Sequence, residues 1–197
     1  MAACSTNDQD LPVPRLITTV SEYSQLEVGN YWIYDWFEVQ PDGSETPMEL
    51  RDTLRIEADT LIEGRTMFVR AGTFMGQPRH EILYDSISHL LTYPERLPIF
   101  VFDSSQEFIR NFGPVDAPIS IGTYRQKTAV ETIEVPAGVF DCINFQGTIE
   151  SLELDYPHGT RFNNNLYARD VGLVQLTTQF YSQPSDLEMR LVDFGRD

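Results

Sequence analysis

Along most of this chain apolar and polar positions alternate with a period of two, the period of a β-strand that buries one face and wets the other. The pattern is densest at Val28-Gly29-Asn30-Tyr31-Trp32-Ile33-Tyr34-Asp35-Trp36-Phe37-Glu38-Val39. In an extended backbone Trp32, Tyr34 and Trp36 share one side, while Tyr31, Ile33, Phe37 and Val39 share the other. Both sides are apolar enough to need cover: core on one, and on the other a second layer, a helix, a partner or a bound ligand. This stretch is the predicted central strand.

Pro41-Asp42-Gly43-Ser44 ends it in a turn, proline fixing φ and glycine supplying the positive φ, so the next strand returns antiparallel. From Met48 the even positions Leu50, Leu54, Ile56 and Ala58 are apolar and the odd positions Glu49, Arg51, Arg55 and Glu57 charged. Ile62-Glu63-Gly64 makes the next reversal, followed by a strand from Arg65 to Phe74, a turn around Gly76-Gln77-Pro78, and strands over 81–85 and 87–93. Between Pro94 and Pro118 the pattern breaks. Ile99-Phe100-Val101-Phe102 is a short apolar run, and Ser104-Ser105-Gln106-Glu107 predicts a capped turn of helix ending near Gly113-Pro114, together a crossover between two halves.

Strands resume over 123–135 and, past the turn at Pro136-Ala137-Gly138, over 139–154, with Ile143, Phe145 and Ile149 inward and Asn144, Gln146, Thr148 and Glu150 outward. Tyr156-Pro157-His158-Gly159 ends that segment, and extended stretches over 161–168, 173–181 and 187–194 close the chain. Helical spacing occurs at Leu16, Val20, Tyr23 and Leu26, against the strand preference of Ile17-Thr18-Thr19-Val20, and predicts one short helical segment. Roughly ten strands joined by tight turns imply an all-β fold, a single strongly curved antiparallel sheet or open β-barrel with little helix. A flat sheet that wide would expose two long edges. Residues 1–15 are expected to be a disordered tether and 16–197 a single β domain, in which 28–93 and 119–194 echo each other loosely as pseudo-repeats.

Length is consistent with this. A chain of 197 residues removes roughly 70% of its extended surface on folding, enough for a real core. Charge changes the picture more: 30 acidic groups against 14 basic ones give a net charge of −16, a field that repels nucleic acid and anionic head groups. Neither nucleic acid nor a bare membrane surface is therefore expected as a partner. Lys127 is the sole lysine. Acid-rich, lysine-poor surfaces stay hydrated in concentrated salt, so a saline habitat and a G+C-rich coding bias both account for the composition.

Two cysteines occur, Cys4 and Cys142. Cys142 lies in a strand beside a tight turn, where a buried small hydrophobe is expected, and pairing with Cys4 would need the polar terminus to fold back. Met1-Ala2-Ala3-Cys4-Ser5 ahead of Thr6-Asn7-Asp8-Gln9-Asp10 has the form of the end of a bacterial lipoprotein signal: small residues, a cysteine whose thiol takes the lipid, then a polar tether. On that reading the protein is exported and membrane-anchored on the periplasmic or outer face, through Cys4 alone.

Three further anchors, Leu26-Glu27-Val28-Gly29-Asn30-Tyr31-Trp32-Ile33-Tyr34, Val135-Pro136-Ala137-Gly138-Val139-Phe140-Asp141-Cys142 and Tyr167-Ala168-Arg169-Asp170-Val171-Gly172-Leu173-Val174, resemble in that order the uncharacterised envelope lipoproteins of Bacteroidetes-type bacteria. The resemblance spans most of residues 23–194 and implies a secreted, membrane-tethered all-β domain, of the open-barrel kind that carries lipoproteins or lipids. It brings no catalytic residues. The acidic stretch from Glu150 to Tyr156 departs from it.

Chemistry is sparse. His80, His89 and His158 have no metal-ligand spacing, and no Asp-x-Asp-x-Asp-Gly loop, Gly-x-Ser-x-Gly elbow or phosphate-cradling glycine loop is present. No metal, cofactor or catalytic residue is thus expected. Glu153 and Asp155 share a face of the predicted strand and would suit a glycosidase acid and base. Trp32, Tyr34 and Trp36 form the candidate binding row: core, or the lining of a concave face for a lipid or other apolar molecule, or a platform for sugar rings. The favoured reading is a non-enzymatic envelope lipoprotein that binds an apolar ligand or an envelope protein on its concave face; the alternative is an extracellular glycan-binding or glycan-acting module. Unfolding followed against added NaCl separates the two origins of the acidic surface: a fold that gains stability with salt supports the saline one, and a fold that gains none removes it.

Overall fold

The structure, a computed structural model, describes residues 19–197. Cys4, the tether over 1–15 and the start of the predicted helical segment lie outside the described residues. Thirteen strands make one antiparallel sheet. In chain order they are β1 (Asn30–Val39), β2 (Glu45–Ile62), β3 (Arg65–Phe74), β4 (Gln77–Asp85), β5 (His89–Tyr93), β6 (Pro98–Val101), β7 (Phe108–Phe112), β8 (Ser120–Val135), β9 (Gly138–Ser151), β10 (Arg161–Asn163), β11 (Asn165–Ala168), β12 (Gly172–Gln179) and β13 (Asp186–Arg196). A single helical turn, α1 (Ser21–Ser24), precedes them within the predicted helical segment.

The lateral order is β6-β5-β4-β3-β2-β1-β13-β12-β11-β9-β8-β7, with β10 paired to β9. The predicted central strand β1 does lie mid-sheet, between β2 and β13. β6 and β7 follow each other in the chain yet stand at opposite ends of the ladder, so the crossover predicted between Pro94 and Pro118 joins the two edges of the sheet. The sheet curls until these edges face each other. Across the seam His89 Nε2 meets Gln106 Oε1 at 3.1 Å, the His89 ring lies edge-on to Phe108, and Arg110 donates to the carbonyl of Pro98. Phe100 of β6 stacks on Tyr167 of β11 at 4.3 Å and meets Phe145 of β9 edge-on, so the two halves of the sheet close over one core.

No helix forms over Ser104–Glu107. Asp103 takes the local donors instead, accepting from the Ser105 backbone N–H at 2.9 Å, the Ser105 hydroxyl at 2.6 Å and the Gln106 amide at 2.6 Å, a side-chain turn that outcompetes a helical one. Two other expectations are corrected. β9 ends at Ser151, so Glu153 and Asp155 lie in an exposed turn and share no strand face. Asn144, expected outward, is only 2% exposed: it donates to Glu131 and Asn164 and accepts from the backbone N–H of Asn165, because the segment from Asn163 to Asn165 crosses over it.

One end of the barrel is stopped by α1. Val20 donates to the carbonyl of Ile87 in the β4–β5 turn, Asp170 in the β11–β12 turn donates to Glu22, and Tyr23 stacks on Phe102 at 5.3 Å. Among the described residues neither a layer nor a helix covers the outer face of β1. Arginines roof it: the Arg190 guanidinium sits 4.6 Å from the Phe37 ring, pinned by Glu45 and Glu188 at 2.6 Å each, Arg55 lies 5.9 Å from the Tyr31 ring, and Arg51 pairs with Asp35 at 2.7 Å. The arginine stems supply apolar cover and the charged ends stay wet.

β2 and β3 approach so closely at Gly72 that a Cβ there would sit 1.8 Å from the carbonyl oxygen of Thr53, at a φ of +147°. Gly72→Ala is expected to cost about 4 kcal/mol or more, since backbone must move, measured as a shift in the urea midpoint.

Candidate functional site

The tryptophan row points into the barrel and is spent on internal bonds. Trp32, Tyr34 and Trp36 are 6%, 1% and 0% exposed. Trp32 Nε1 donates to the carbonyl of Val171 at 2.6 Å with Gly172 packed beneath the indole, and Tyr34 donates its hydroxyl to the carbonyl of Leu173 at 2.9 Å, both tying β1 to the start of β12. Burial pushes the Tyr34 hydroxyl far above its ordinary pKa, so it stays a donor.

Trp36 donates to Asp52 at 2.7 Å. Asp52 occupies an even, core-facing position of β2 and is fully buried, and it accepts as well from the backbone N–H groups of Met75 at 2.6 Å and Gly76 at 3.0 Å. Those two residues form the β3–β4 turn, both with positive φ, and present their N–H groups together. Burial pushes the Asp52 carboxyl up, but the bonds from Thr73, Trp36, Gly76 and Met75 outweigh it and hold the acid below the usual carboxylate range.

Beside this core lies a cavity of about 320 Å³ whose walls include Arg70, Arg79, Arg110, Tyr124, Asn163 and Thr177 together with Leu54, Phe74, Ile99, Phe112, Leu176 and Met189. None of Trp32, Tyr34 and Trp36 lines it. Phe74 and Arg79 flank the β3–β4 turn and Thr177 and Thr178 lie in the far half of β12, at the ends of those strands away from α1, while Leu173 extends the wall back to the start of β12. A smaller compartment of about 110 Å³ adjoins it, lined by Ile119, Ile149, Ser151, Tyr156 and Tyr181, with Phe112, Asn163 and Thr178 in the shared wall.

The polar groups in these walls are held firmly but incompletely. Glu81 accepts from Arg70 and from Arg79, each at 2.6 Å. The Arg110 guanidinium lies 4.9 Å from the Tyr124 ring, and Tyr124 accepts from Asn163 at 3.0 Å. Burial pushes the Tyr167 hydroxyl, another wall group, up to about 12 against the pull of Arg70, Arg110 and Arg79. Five buried side-chain polar atoms among the described residues have no hydrogen-bond partner, and four belong to these walls: Arg110 Nε, Asn163 Oδ1, Thr177 Oγ1 and Gln179 Oε1. Such atoms are rare in cores, and their gathering around one space makes it the candidate site.

The remaining candidates stay apart. Among the described residues no group of three or more His, Cys, Asp or Glu could hold a metal. His80 is exposed, His158 stacks edge-on against Tyr156, and His89 belongs to the seam. Cys142 is a buried free thiol whose pKa burial, with Asp141 and Glu131, pushes up to about 12, which suppresses the nucleophilic thiolate. No helix of the described residues is long and apolar enough to cross a membrane. Sequence reasoning passed over Asp52, Glu81, Arg70, Arg79 and Arg110. The available signal was a charged residue on an apolar face: Asp52 between Leu50 and Leu54, and Arg110 between Phe108 and Phe112.

These features define a curled antiparallel β-barrel, stopped at one end, with a polar-walled cavity inside. Two solved structures resemble it over 88% of this chain and 98% of theirs: a protein inferred to be exported, with a YMCC-like fold, from Bacteroides fragilis (13% identity, TM-score 0.48), and an inferred lipoprotein from Parabacteroides distasonis (12% identity, TM-score 0.49). Both come from Bacteroidetes, the group whose lipoproteins the sequence anchors resemble. At these values the likeness assigns no function. No family model and no curated protein matches the chain.

Because the Asp52 carboxyl titrates below its unfolded value, its stabilisation is full above that value and is lost as pH falls through the folded one. Asp52→Asn is expected to cost about 2 kcal/mol in urea unfolding at pH 7, and the gap from wild type should narrow below about pH 4.

Proposed function

We propose that this chain is a non-enzymatic, exported lipoprotein of the cell envelope that holds an apolar small molecule inside its barrel. The observation that carries the reading is the interior cavity of about 320 Å³, apolar over much of its wall, with unbonded polar atoms on three of its wall residues, Arg110, Asn163 and Thr177. Ligand pockets combine those properties: apolar walls supply the affinity and a few polar groups fix the orientation. Exported and membrane-anchored placement rests on Met1-Ala2-Ala3-Cys4-Ser5 and the three sequence anchors, with Cys4 as the acylated residue.

The glycan reading has less behind it. Trp32 and Trp36 are buried and hydrogen-bonded rather than laid out as a platform, and Glu153 and Asp155 lie in a surface turn.

Native mass spectrometry of the purified full-length protein, followed by solvent extraction, is expected to show a small-molecule adduct that solvent removes. Protein that carries no adduct, and gains none when incubated with decanol, would overturn the reading.

A further inference from the structure

The acid excess of the chain is reversed inside it. Against 30 acidic and 14 basic residues overall, the wall of the larger cavity carries three arginines, Arg70, Arg79 and Arg110, and no Asp or Glu. Glu81 stands behind Arg70 and Arg79 and bonds both at 2.6 Å. Three positive charges against this one negative leave a net charge of +2, and Arg110 has no carboxylate partner among the described residues. A guanidinium carries five N–H donors in a fixed fork. Arg110 spends one on the Pro98 carbonyl, and its buried Nε has no acceptor. Asn163, 9% exposed, and Thr177, 3% exposed, add unbonded oxygens to the same walls.

Burying cations in a half-apolar space is costly unless something anionic meets them. A free inorganic anion would answer the arginines but leave the half-buried Ile99, Phe112 and Leu176 facing water. A pure hydrocarbon would do the reverse. Resting on the reading of the cavity as a ligand site, we propose that its ligand is an anionic amphiphile, a single-chain carboxylate whose head is held by Arg110, Arg79 and Arg70. Its chain lies along the apolar wall toward the smaller compartment beyond Phe112. Glu81 is the positioning residue: by fixing two guanidinium groups from behind it directs their remaining donors at the ligand.

Calorimetric titration of the delipidated full-length protein with decanoate, decanol and decylammonium, which share a chain length and differ in head charge, tests this. Decanoate is expected to bind at least about ten-fold tighter than decanol, with decylammonium weakest, and only the decanoate affinity should fall as NaCl is raised. Arg110→Gln should bring decanoate to the level of decanol while Arg110→Lys keeps part of the difference. Since Arg110 also bridges the seam, Arg79→Gln, at a side chain 37% exposed, serves as the second variant and should narrow the same gap. Decanol binding as tightly as decanoate to wild type, or a preference for decanoate untouched in folded Arg110→Gln and Arg79→Gln, would overturn the head-group assignment while leaving an apolar site in place. Failure of all three probes to bind would remove the site itself, and the assignment with it.

Discussion

The two ends of the β ladder, β6 and β7, are joined by side chains rather than by a run of backbone hydrogen bonds. Any open sheet has two edges of unpaired N–H and C=O groups, and this one places them at either end of a short loop, so the chain delivers one edge to the other. His89, Gln106, Phe108 and Arg110 span the gap, and the rings of Phe100, Tyr167 and Phe145 pack beneath it. Curvature, core and cavity all follow from that meeting. A sheet that stayed open would leave the aromatic interior in water, and one that closed with a continuous ladder would draw the wall tighter around the arginines.

At the opposite side of the barrel the constraint is different in kind. β1 has paired neighbours on both sides, and its inner face carries three aromatic groups with polar tips, each of which must find a partner once buried. Two find carbonyls at the start of β12, Val171 just before it and Leu173 within it, and one finds Asp52, which in turn gathers the N–H groups of the β3–β4 turn. A buried acid on an otherwise apolar strand face thus acts as a node between β1, β2 and the turn that frames the cavity.

Much of the fold was legible in the sequence because period-two alternation and turn chemistry are local. The central strand, the meander to Tyr93 and the hairpin at Pro136-Ala137-Gly138 all follow from them. What was not legible depended on contacts distant in the chain. Asp103 captured its own neighbours and no helix formed; Asn144 was buried by a segment some twenty residues further on. The cavity escaped notice for the same reason. Its arginines sit at 70, 79 and 110, on three strands, and only the curl of the sheet and the crossover to the far edge bring them to one wall. The aromatic row was the conspicuous feature, and it is committed to the core.

Having both tryptophans on one strand has a practical corollary. Each indole is buried and donates its N–H, one to a carbonyl and one to a carboxylate, so the emission of the folded protein reports on a single strand at the middle of the sheet. Red-shifted emission would signal loss of that strand's cover, the last part of the ladder expected to come apart, whereas parting of the two edges at the seam would pass unseen by fluorescence.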